Sequence, residues 1–210
     1  MTSWFDIINI PVAPTEPDDP KGVDESVKFI HDLINKTMEK VRANSRSSEA
    51  TATHQFNFIT NNFLLGRFAF SAVRPTLGPF FPPSPQHSLP SSRIILGGFS
   101  QGGAMSLLAG SLFPTPLSGC VCLSGWLLRG EDNVAMWTGR NANVPLFIGH
   151  GTADQVVLPV LAETSSSLIS DGRDDGSGKV TYKTYPGEGH GACDEELKDL
   201  AEWINEVTGE

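Results

Sequence analysis

Gly98-Phe99-Ser100-Gln101-Gly102 carries a G-x-S-x-G spacing, with a further glycine on either side at Gly97 and Gly103. It follows the apolar run Ile94-Ile95-Leu96 and precedes Ala104 to Ala109, a stretch of helical composition. That order, strand, sharp turn, helix, is what a nucleophile elbow requires. Glycines let the strand and helix backbones approach, and the strained turn lifts the serine hydroxyl above the sheet. The Gln101 amide, at the head of the helix, would then point at the oxygen of a tetrahedral intermediate. The competing reading, an ordinary serine in a glycine-rich turn, stays open on these residues alone.

A serine hydroxyl needs a base to take its proton, and the base needs an acid to orient it. Asp154 follows the apolar run Leu146-Phe147-Ile148 and precedes Val156-Val157-Leu158, read as the start of a helix. His190 follows the alternating run Val180 to Tyr185 through Pro186-Gly187-Glu188-Gly189. The separations, 54 residues from Ser100 to Asp154 and 36 from Asp154 to His190, leave room for strand-helix units between them. His150, four residues before Asp154, is the competing base, but its place in the same loop favours a hydrogen-bonding role. His31, His54 and His87 lie outside any motif and are expected to face solvent. Asp171, Asp174 and Asp175 read as a solvated Gly-rich turn. Gly172 to Lys179 fails as a phosphate loop, with five residues between the glycines and Val180 where Ser or Thr is needed. Cys193 reads as a packed loop cysteine; Cys120 and Cys122 read as buried small apolar residues.

The elements that must position these groups alternate. Val23, Val27, Ile30, Ile34, Met38 and Val41 recur at spacings of three and four, which predicts a helix over 24–42. Strands are expected at Ile94 to Leu96, Cys120 to Leu123, Leu146 to Ile148 and Val180 to Tyr185. Leu197, Leu200, Ile204 and Val207 give a final helix one apolar face. This is the rhythm of an α/β fold in a single domain over 1–210. Residues 50–90 break it: they hold seven of the twelve Phe, six prolines and no acidic residue. They are expected to be a poorly ordered, atypical insert.

The 210 residues carry a formal charge of -9, which disfavours nucleic acid and anionic membrane surfaces as partners. No transmembrane run or secretory signal is expected, and three cysteines are too few for a disulfide framework, so a cytoplasmic location, also open to the nucleus, is expected.

Ser3-Trp4-Phe5-Asp6-Ile7, Arg93 through Ala104, Leu123-Ser124-Gly125-Trp126-Leu127, Pro145 through Val157 and Pro186 through His190 together resemble the acyl-protein thioesterases. These form a branch of the phospholipase/carboxylesterase family of α/β-hydrolases. The resemblance covers roughly 2–49 and 91–208 and implies a mostly parallel sheet flanked by helices. It implies Ser100 as nucleophile, Asp154 as acid, His190 as base, Gln101 as an oxyanion donor and Trp126 as a lining residue of the acyl site, a core tryptophan being the alternative. The implied reaction is hydrolysis of long-chain acyl thioesters on S-acylated proteins, with lysophospholipids and small esters as further substrates. It calls for no cofactor and no metal, and a weak homodimer is the expected assembly. Two departures accompany it. The first strands and the His-Gly-x-Gly-Asp oxyanion loop of the family are expected to be missing, and Leu128 stands where the family tends to place proline. The alternative expectation is an impaired family member acting as an acyl-chain or partner-binding module.

Overall fold

A computed structural model describes residues 3–14, 19–44, 57–59, 90–173 and 177–209. Five strands form one sheet in the order β1 (Asn57–Ile59), β2 (Ile94–Phe99), β3 (Gly119–Leu123), β4 (Leu146–Gly151) and β5 (Val180–Tyr185). All four pairings are parallel. Among the described residues five α-helices accompany them: α1 (Pro20–Asn44), α2 (Gln101–Leu112), α3 (Gly130–Thr138), α4 (Pro159–Asp171) and α5 (Asp194–Thr208). The expected α/β class and helix-flanked parallel sheet are what the structure shows.

Strands β2, β3 and β4 alternate their side chains between two packed layers, as a sheet buried on both faces requires. Ile94, Leu96, Cys120, Cys122, Leu146 and Ile148 face a large core shared with Ile30 and Ile34 of α1, Met105 and Leu108 of α2, Trp137 of α3 and Ile169 of α4. Ile95, Val121 and Phe147 face the other way, onto Leu200 and Trp203 of α5. Among the described residues no helix is long and apolar enough to cross a membrane.

Three expectations change. The predicted helix over 24–42 begins earlier, at Pro20, because the Asp19 carboxylate accepts the Gly22 amide at 3.0 Å and caps the first turn. Val156 to Leu158 is not helical. Pro159 opens α4 and holds Leu158 at φ -62, ψ 132, while Val12 pairs in parallel with Val157. Within the insert expected over 50–90, Asn57–Ile59 is β1, in register with Ile94 to Leu96; the rest of the insert, apart from Pro90, lies outside the described residues.

Candidate active site

Ser100 stands between β2 and α2 with φ 57 and ψ -124, a conformation that costs a non-glycine residue on the order of 1–3 kcal/mol. Two bonds hold it there: the Ser100 amide donates to the Leu123 carbonyl at 2.8 Å, and its carbonyl accepts the Ala104 amide at 3.1 Å. The turn is possible because Gly98 has no side chain; a Cβ there would overlap the Gly102 carbonyl group. Gln101 opens the helix, so its amide is among the terminal donors that lack an acceptor within the helix. Its side chain has a separate task, donating from Nε2 to the Phe5 carbonyl at 2.9 Å.

Asp154 lies in the turn after β4 with its carboxylate fully buried. Oδ1 accepts the amides of Val156 at 2.8 Å and Val157 at 2.9 Å, which fixes the carboxylate plane and leaves Oδ2 for a second partner. That partner is His190, whose Nδ1 lies 2.8 Å from Oδ2. His190 Nε2 lies 3.0 Å from Ser100 Oγ. With Nδ1–H donating to the carboxylate, Nε2 is the acceptor for the serine hydroxyl. The three side chains that the sequence singled out are thus in one hydrogen-bonded chain. The loop carrying His190 is docked by main-chain bonds: the Ala153 amide donates to the Glu188 carbonyl at 2.8 Å, and the Gly187 amide donates to Thr152 Oγ1 at 2.9 Å.

The remaining sequence candidates fall into place around this chain. His150 is buried, its Nε2 3.0 Å from the Val157 carbonyl and 3.2 Å from Asp154 Oδ2. Facing two acceptors, Nε2 carries the proton, and burial lowers the tendency of the ring to take another. It braces the acid loop and does not approach Ser100 through any hydrogen bond. Trp126 is only 7% exposed and meets Phe5 edge-on, with centroids 6.0 Å apart, so most of its surface belongs to the core. His31, expected in solvent, instead places Nε2 2.8 Å from the Ala109 carbonyl and packs edge-on against Phe113. His54, His87, Asp174 and Asp175 lie outside the described residues. Cys120 and Cys122 are buried and unbridged, and Cys193 is partly buried before α5. Among the described residues no group of three or more His, Cys, Asp or Glu could hold a metal ion.

Sequence reasoning missed the segment that joins the two halves of the site. Residues 3–14 are tied to the elbow through Phe5 and to the acid loop through Val12, whose amide donates to the Val156 carbonyl at 2.7 Å. No periodicity marks such a strap; contacts with residues distant in sequence, among them Phe5 to Gln101 and Val12 to Val156, reveal it.

Residues 75–208 match the family model described as phospholipase/carboxylesterase. The chain belongs to that family. Among its curated phospholipase/carboxylesterase relatives, acyl-protein thioesterase 1 of Mycosarcoma maydis is 38% identical over 121 residues, covering 58% of this chain and 50% of that protein. Acyl-protein thioesterase 1 of Cryptococcus neoformans is 27% identical over 217 residues, covering 99% of this chain and 71% of that protein. The chain thus spans about half the length of the first of these relatives. Solved structures share the fold: Arabidopsis thaliana SOBER1 superposes with a TM-score of 0.65 at 22% identity, over 98% of this chain and 74% of that one. Zea mays acyl-protein thioesterase 2 follows with a TM-score of 0.58 at 20% identity, over 98% of this chain and 72% of that one.

Proposed function

We propose that this phospholipase/carboxylesterase family member is a serine hydrolase that cleaves acyl thioesters and esters, with long-chain thioesters of S-acylated proteins as its main substrates. The observation that carries the reading is the unbroken chain Ser100 Oγ, His190, Asp154, at 3.0 and 2.8 Å. His190 Nε2 takes the Ser100 proton as Oγ bonds to the acyl carbon, and Asp154 stabilises the imidazolium. The negative charge on the carbonyl oxygen meets the Gln101 amide at the head of α2, a donor of a kind worth about 3 kcal/mol of barrier. The carbon–sulfur bond then breaks, His190 returns its proton to the thiolate, and the acyl group stays on Ser100. Water repeats the sequence with His190 as base, releasing the fatty acid and restoring the hydroxyl. The thioesterase names of the curated relatives support the thioester substrate, and the carboxylesterase family supports the ester.

The test is covalent. A fluorophosphonate probe should label the wild-type chain and fail to label Ser100→Ala; a folded wild type that stays unlabelled sinks the reading. Turnover of palmitoyl-cysteine peptide, lysophosphatidylcholine and acetyl ester, measured side by side, then ranks the substrates. The long-chain thioester is expected to lead, and a lead for the acetyl ester would overturn the assignment of substrate.

A further inference from the structure

Glu196 sits in the first turn of α5, where a glutamate ordinarily points into solvent, yet it is fully buried and neither carboxyl oxygen has a hydrogen-bond partner among the described residues. Its Oε1 rests against the backbone of Gly149 on β4, in the space a Cβ there would occupy. The charged and titratable groups facing it are Glu188 of the base loop, Asp199 of α5, Tyr185 of β5 and Cys122 of β3. Lys183, the register partner of Gly149, would be the natural counter-ion. Its Nζ lies instead 2.7 Å from Asp199 Oδ1, and the Tyr185 hydroxyl donates to Asp199 Oδ2 at 3.1 Å. The nearby donors are therefore directed at one carboxylate, and the buried one receives none.

Glu188 links this carboxyl to the chemistry. Its carbonyl accepts the Ala153 amide, which docks the base loop on the acid loop, and its own carboxylate lies over Gly191, beside His190; a Cβ on Gly191 would sit 2.9 Å from Glu188 Oε1. The Gly191 carbonyl in turn lies 3.4 Å from Ser124 Oγ. A negative charge on Glu196 would push against Glu188, and through it against the segment that holds the imidazole. We propose that Glu196 is a positioning residue for the base loop: while protonated it lets residues 186–193 lie against the acid loop with His190 on Ser100, and its ionisation loosens them. Burial first, then the charges of Glu188 and Asp199, pushes this carboxyl up to about 7, so the change falls near neutral pH.

The consequence for chemistry rests on the proposed function, but the loosening does not, and the test separates them. Hydrogen exchange at the Ala153 amide, corrected for intrinsic rate, should show several-fold loss of protection from about pH 6 to about pH 8.5. Glu196→Gln, neutral at every pH, should keep its protection throughout. Glu188→Gln, which removes the facing charge, should shrink the loss. Fluorophosphonate labelling of the wild type should fall several-fold relative to Glu196→Gln over the same range. A glutamate acting only through global stability would cost the Ala104 amide of the elbow as much protection as the Ala153 amide over the same range, and an equal loss at both would overturn the proposal. Unchanged wild-type protection, or an equal loss in Glu196→Gln, overturns the proposal; if that variant does not fold, the wild type and Glu188→Gln still decide it. Protection that switches in a chain that never labels would sink the hydrolase reading and leave the positioning role standing.

Discussion

Ser100 stands where a buried strand meets a buried helix, with Ile94 to Leu96 and Gly102 to Ser111 inaccessible, whereas His190 rides on residues 186–193, every one of which keeps some exposure. The elbow is held by core packing on both sides and can sustain a strained φ of 57. The base loop has a few main-chain bonds and the groups beneath it. In the proposed reaction the difference suits a histidine that must accept and return a proton at two steps while the nucleophile stays fixed. It also means that the two halves should fail differently.

The largest effect is expected at the base. His190→Ala should lower kcat/KM, or the rate of fluorophosphonate labelling, by about 10⁴-fold or more, because in the proposed reaction the imidazole acts in both half-reactions. Thermal stability should fall by only about 1–3 kcal/mol, since the buried Asp154 carboxylate that loses the imidazole keeps His150 Nε2 at 3.2 Å and the Val156 and Val157 amides as partners. Calorimetry together with labelling checks this. An unfolded His190→Ala would mean that the loop is a structural keystone, and the contrast with the elbow would collapse.

Gly98→Ala should do the reverse. The added methyl overlaps the Gly102 carbonyl group, which is main chain of α2 and has no rotamer to relieve the clash. The strand and helix must separate, at about 3 kcal/mol of stability, and labelling at Ser100 should vanish with the geometry. Denaturant melts of Gly98→Ala against wild type measure the loss. A variant with unchanged midpoint and full labelling would show that the elbow does not depend on this close approach.

That asymmetry also explains which parts could be read from the sequence. The elbow is local: strand, glycines, serine and helix lie within twenty residues, so the pattern carries its own geometry. Asp154 and His190 could be found as an acid and an imidazole beyond strand ends, and the structure brings both to Ser100. Their docking was not legible, because it depends on partners distant in sequence: Val12 on Val156, and Glu188 on Ala153. The helix expected from Val156 gave way to that same long-range pairing and to Pro159. Strand β1 lies in the stretch 50–90, whose prolines argue against regular structure but begin only at Pro75, and Phe56-Asn57-Phe58-Ile59 itself has strand composition. His31 lies outside any motif, which points it to solvent, and the partner that holds it inside, the Ala109 carbonyl, lies 78 residues away. Glu196 carried no signal at all; an acidic residue in a helix's first turn is the ordinary case, and only the packing of α5 on β4 makes this one buried.

The effect confined to part of the pH range is a global one from that same carboxyl, and it sets the base loop apart from the elbow by its dependence on pH. In the folded chain Glu196 holds its proton up to about 7, while in the unfolded chain it releases it near the ordinary value of 4.5. Between those values the folded state binds the extra proton, so raising the pH draws the equilibrium toward the unfolded chain. Stability contributed by this group is therefore complete below about 4.5, declines through the window and is gone above about 7, a loss on the order of 3 kcal/mol. Glu196→Gln has no proton to lose. Its urea midpoint should stay level across that window relative to wild type and exceed it at pH 8, while a variant less stable than wild type on the alkaline side would mean that the buried carboxylate finds a donor when it ionises. Gly98→Ala, by contrast, should be destabilised by the same amount on both sides of the window, since no titrating group takes part in its clash.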